Sequence, residues 1–132
     1  MNRPTRTAAL AAALMATCLL TPGATAHAAP GDWLSLTVTR PGTTGGGTRA
    51  ALLLCDPPQG HPKAAEACAQ LAAADGDFSR LGDSGTRCPL IYAPVRAQAH
   101  GRRHGRQVEY DRTYGNACEL RAATGDVFTL AG

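Results

Sequence analysis

The chain has 132 residues, with 13 Lys and Arg against 10 Asp and Glu, and five cysteines. That length suits one small domain, and no linker marks a second. The formal charge of +3 falls to +1 once a leader carrying Arg3 and Arg6 is set aside, because 11 basic residues then face 10 acidic ones. A nearly neutral domain offers no argument for nucleic acid or a membrane as partner.

The chain opens as a secretory precursor. Arg3 and Arg6 form a basic n-region, 7–20 is an apolar run of Ala, Leu and Met, and Ala-x-Ala sites follow at 24–26 and 26–28. The run is too short for a comfortable transmembrane helix. Cys18 lies inside it and is preceded by Thr17, which speaks against a lipid anchor. Cleavage is expected after Ala28 or two residues earlier. Residues 1–28 are therefore a signal peptide, and 29–132 are a secreted, extracellular domain.

In that domain, 33–39 alternates apolar and polar residues and predicts a half-buried strand. A Gly/Thr loop spans 41–48, and a second strand spans 50–54. Residues 55–62, with Pro57, Pro58, Gly60 and Pro62, read as a turn that continues neither neighbour. Pro62 fits a first helical turn, and 63–74 is Ala-rich, with Ala67, Cys68 and Leu71 at helical spacing. Gly76 ends that helix. An irregular connection is expected over 78–87. Strands are expected at 95–99 and 107–111 around a turn at 100–105, then a short helix over 115–123 and a final strand over 126–130. Several hairpin-like strands with one main helix on one face give an α+β domain on an antiparallel sheet.

Four cysteines remain after the leader: Cys55, Cys68, Cys88 and Cys118. In a short exported chain they read as two disulfides. Spacing allows three pairings, of which the simplest is Cys55–Cys68 with Cys88–Cys118. Each closure is worth roughly 3–4 kcal/mol in the chain-entropy account, against about 5–15 kcal/mol for a whole domain. The aromatics are few (Trp33, Phe78, Tyr92, Tyr110, Tyr114 and Phe128), so the cross-links matter.

The composition supplies little chemistry. Ser35, Ser79 and Ser84 lie in no nucleophile elbow, and no serine, histidine and carboxylate set suggests itself. His61, before Pro62, reads as a solvated or turn-stabilising residue. His100 and His104 are four apart but flanked by glycines, without an acidic third ligand, which disfavours a metal site. The cysteines lack paired C-x-x-C spacing for zinc. The basic run 100–106 reads as a charged hairpin tip that blunts a sheet edge. No enzyme, metal or cofactor is expected.

One segment differs. Cys88-Pro89-Leu90-Ile91-Tyr92-Ala93-Pro94 sets an aliphatic pair between two prolines beside a cysteine. Proline fixes its own φ and holds the preceding residue extended. The segment should be a stiff, exposed strip of the shape in which a protease reads a substrate. A buried strand end is the plainer reading, but burial requires neither flanking proline nor cysteine.

Three blocks carry a resemblance to the Streptomyces subtilisin inhibitor family: 55–71, 88–95, and 110–119 followed by Val127-Phe128. They occur in order and span most of the chain after the leader. The resemblance implies an antiparallel five-stranded sheet with two helices packed on one side, and a secreted inhibitor of subtilisin-like or chymotrypsin-like serine proteases. It implies disulfides Cys55–Cys68 and Cys88–Cys118, a scissile bond at Leu90-Ile91 with Leu90 as P1, and Asn116 supporting the loop by hydrogen bonds. Homodimerisation through the sheet is also a family habit. Adjacent Gly60 and His61 shorten a turn. Ala93 replaces a residue usually acidic, which should loosen support on the primed side. Arg102-Arg103-His104 at the turn, with Arg96 and Gln98 on the strand, weigh against the dimer. The competing reading is a non-inhibitory binding or structural module on the same fold.

Overall fold

Alternation in the first strand sets the core. A computed structural model describes residues 31–42, 47–83 and 85–131. The expected leader and part of the Gly/Thr loop lie outside those residues. In β1 (Trp33–Thr39) Leu34, Leu36 and Val38 are buried while Trp33, Ser35, Thr37 and Thr39 are partly exposed, as a period of two demands. β1 is central. It pairs antiparallel with β2 (Thr48–Cys55) on one side and with β4 (Val95–Arg103) on the other. β3 (Pro58–Gln59) and β5 (Arg106–Tyr114) are the edges, giving the order β3-β2-β1-β4-β5.

Two helices, α1 (Ala64–Ala73) and α2 (Ala117–Thr124), cover one face. Ala67, Cys68 and Leu71 of α1, and Leu120 of α2, join the inward residues of β1, β2 and β4 in a single cluster. Each fully buried Leu or Val there contributes about 1.5–3 kcal/mol. Phe78, Tyr110 and Phe128 close the cluster, with ring centroids 4.8–6.0 Å apart. Both disulfides form, Cys55–Cys68 across β2 and α1 and Cys88–Cys118 between the 88–94 segment and α2. On the open face Arg96 bonds Asp111 through Nε and Nη2, and Gln98 donates to the same carboxylate.

Five expectations are corrected. The segment 126–130 is not a strand. Val127 and Phe128 are neighbours and both buried, which alternation forbids. Their backbone bonds are local, with Val127 N–H to Thr124 O and Thr129 N–H to Asp126 O. The fifth strand is instead Pro58–Gln59, inside the expected turn, paired with Leu54 and Cys55. A proline is tolerated there because the strand is an edge.

The turn expected over 100–105 is only His104 and Gly105, both at positive φ (49° and 75°), which suits a two-residue hairpin. Gly101 lies within β4, where a Cβ would come 2.1 Å from the Trp33 carbonyl, so it marks a close backbone approach. Arg103 ends the inward row and is buried, so the basic run is not wholly a solvated tip. His61 is buried, not solvated. Its Nδ1 accepts the Lys63 N–H at 2.9 Å and its Nε2–H donates to Val127 O at 3.0 Å, so it does stabilise the turn into α1. That helix starts at Ala64, just beyond Pro62.

Candidate reactive loop

Residues 86–94 belong to no helix or strand, yet the chain there is tied at several points. The ties come from one short stretch, 114–118, where β5 ends and α2 begins. Cys88 is bonded to Cys118 in the first turn of α2. Asn116 is the N-cap of that helix; its Oδ1 accepts the Glu119 N–H at 3.0 Å, the ordinary work of an asparagine at this position. Its Nδ2 is then turned toward the loop. It donates to Pro89 O at 3.2 Å and to Ile91 O at 2.9 Å. These two carbonyls flank Leu90, so one buried amide holds the backbone on both sides of the Leu90–Ile91 bond. Farther on, the Ala93 N–H donates to Gly115 O at 2.8 Å. At Val95 the chain enters β4, paired with Tyr114.

What this frame presents is apolar. Leu90 is 103% exposed, Ile91 60% and Tyr92 85%. Folding ordinarily removes such side chains from water, and a contiguous exposed apolar strip marks an interaction site. The backbone is held and the side chains are free, so the surface is a projecting strip suited to entering a cleft. The prolines contribute by fixing φ at 89 and 94.

The arrangement brings together Cys88, Pro89, Leu90, Ile91, Tyr92, Ala93 and Pro94 of the loop with Asn116 and Cys118 behind them. Cys55–Cys68 lies apart, in the core. Gly115 escaped sequence reasoning because its carbonyl acts, and a backbone acceptor leaves no mark in a sequence. Ala93 keeps its tie to the body through its backbone, whatever its side chain. His100 stacks edge-on against Trp33 with centroids 5.9 Å apart, whereas the His104 imidazole lies 3.5 Å from Asp32. Among the described residues, no three His, Cys, Asp or Glu side chains converge as a metal site. No helix there is long and apolar enough to cross a membrane.

Known proteins are similar to this chain over most of its length. The family model described as subtilisin inhibitor-like matches residues 30–116. A Streptomyces avermitilis protein named as a candidate serine protease inhibitor is 50% identical over 130 residues, covering 95% of this chain and 88% of that protein. The subtilisin inhibitor of Streptomyces albogriseolus is 41% identical over 92 residues, covering 67% and 63%. Among solved structures, Streptomyces caespitosus sermetstatin in complex with Bacillus licheniformis subtilisin matches with a TM-score of 0.58 and 30% identity, covering 76% of this chain and 98% of that one. With a matched stretch running from before β1 through the loop to its supporting asparagine, the chain belongs to the subtilisin inhibitor-like family.

Proposed function

We propose that the chain is an exported inhibitor of subtilisin-like serine proteases, not an enzyme, and that it acts through a substrate-like loop with Leu90–Ile91 as the scissile bond. Residues 1–28 act as the signal peptide and 29–132 as the secreted inhibitor. The observation that carries this reading is Asn116 Nδ2, which bonds the carbonyls on either side of Leu90 while the Leu90 side chain stands fully in solvent.

The loop enters the protease cleft as an extended strand and pairs its backbone with the enzyme's edges. Leu90 fills the S1 pocket. A large apolar P1 suits subtilisin-like and chymotrypsin-like pockets and lacks the cation a trypsin-like pocket requires. The restrained backbone has little entropy left to lose on binding. When the protease serine acylates on the Leu90 carbonyl, the Ile91 amine is the leaving group. Asn116 and Gly115 hold the departing strand, and Cys88–Cys118 holds the other. The amine therefore stays beside the acyl carbon and re-forms the peptide faster than water arrives.

Titration of subtilisin with oxidised 29–132 tests this reading. A sharp equimolar endpoint, with slow cleavage that exposes Ile91 as a new N-terminus, is the expected result. Full enzyme activity at large molar excess overturns it.

A further inference from the structure

The pivot of the loop support is a glycine, the residue type least able to hold a fixed conformation. Gly115 joins β5 to α2, and its carbonyl receives the Ala93 N–H. Its own N–H is taken by a side chain: Glu119 Oε2 accepts it at 2.9 Å. Glu119 sits in the first turn of α2, where a carboxylate is favoured by the helix dipole. Its backbone N–H is in turn held by Asn116 Oδ1. The pattern is a capping box in which the carboxylate reaches one residue beyond the N-cap. The fit is close, since a Cβ on Gly115 would lie 2.8 Å from Glu119 Oε2.

We propose that Glu119 is a positioning residue for the reactive loop: by clamping the Gly115 N–H it fixes the orientation of the Gly115 carbonyl and, through it, the primed side of the scissile bond at Ala93. The chain of contacts is continuous. Glu119 holds the peptide before the Gly115 Cα, Ala93 is held by the peptide after it, and φ and ψ of Gly115 lie between the two. Without the carboxylate those angles are free to vary, and the Ala93 tie varies with them. Asn116 still holds Ile91 O, so the loss falls beyond Ile91. This assignment rests on the inhibitory reading above only for its consequence in the complex. The clamp itself belongs to the free protein.

Two readouts test it. In free protein, Glu119→Ala lowers hydrogen-exchange protection of the Ala93 amide by about tenfold, the size of one hydrogen bond to a charged group. Glu119→Gln, whose amide oxygen still accepts, restores most of it. In equimolar mixtures with subtilisin, Glu119→Ala is cleaved at Leu90–Ile91 about tenfold faster than wild type, and Glu119→Gln is cleaved at close to the wild-type rate. Ala122→Gly serves as a control that weakens α2 without touching the clamp.

Unchanged Ala93 protection in Glu119→Ala overturns the proposal. So does an equal loss of Ala93 protection in Ala122→Gly, which would reduce Glu119 to a helix stabiliser. If wild type fails to inhibit subtilisin, the inhibitory reading falls, and the amide measurement still decides the clamp.

Discussion

Two corners of this molecule use the same device for different ends. At the loop, buried Asn116 bonds two carbonyls and a backbone N–H. At another corner, buried His61 bonds one backbone N–H and one carbonyl, joining the start of α1 to the segment after α2. Each side chain splices two stretches of chain distant in sequence, and a disulfide lies in each region. The difference is chemical. An amide does not titrate, whereas an imidazole does near neutral pH. The Leu90–Ile91 bond is thus braced by a group indifferent to acidity, and the turn into α1 by one that is not. The loop corner also leaves three large apolar side chains in water.

The largest effect separates recognition from stability. Leu90→Lys is expected to weaken subtilisin binding by roughly 100-fold or more, as for a central anchor residue, and to shift preference toward trypsin, whose pocket carries a buried carboxylate. Thermal stability should not change, because Leu90 touches solvent alone. Equal subtilisin affinity for both proteins, measured by inhibition titration, contradicts the P1 assignment.

Next is Asn116, which does two jobs that can be divided. Asn116→Ala removes the cap and both carbonyl bonds, at a cost of about 2–3 kcal/mol in urea unfolding, and speeds cleavage by subtilisin. Asn116→Asp keeps a capping oxygen but has no N–H to give the loop. It should retain most of the helix stability and still be cleaved faster than wild type. If the aspartate variant is cleaved as slowly as wild type, loop support does not reside in the amide, and the contrast with His61 collapses.

What the sequence disclosed was local or covalent. The strip 88–94 was legible because prolines and a cysteine act on their own backbone, and β1 because alternation is a local pattern. What it hid depends on distant partners. Residues 126–130 look like a strand until the Asp126 carboxylate is found bonded to Lys63 and Gln70, which lie 63 and 56 residues away. Pro58–Gln59 is a strand only because Leu54 and Cys55 lie beside it. Gly101 mimics a turn residue, yet its reason is the Trp33 backbone across the sheet. The role of Asn116 was read from family resemblance. The Asn116-x-x-Glu119 spacing was a capping-box signal in plain view, and it pointed to the same turn.

The smallest expected effect is the one that most directly tests the contrast. Burial holds the His61 pKa below its ordinary 6.5, against the opposing pull of Asp126, Glu66 and the carbonyl of Val127. The geometry agrees, since Nδ1 must keep a lone pair to accept the Lys63 N–H, and a proton there would set donor against donor. A lowered folded pKa means that the unfolded chain takes up the proton first. The stabilisation by neutral His61 is therefore fully present above pH 6.5 and is lost as pH falls through the folded value. Asp126, held low by its bond to Lys63, loses its contribution only in a separate, more acidic window below 3.8. The melting temperature should accordingly decline from about pH 7 to 5, the histidine range, and His61→Gln should flatten that decline. Over the same range, exchange protection at Ala93, corrected for intrinsic rates, should stay level, because the Gly115 carbonyl that accepts its N–H and the Asn116 amide beside it do not titrate. Loss of Ala93 protection in step with the melting temperature would mean that the two corners are one cooperative unit, with the loop as acid-sensitive as the fold beneath it.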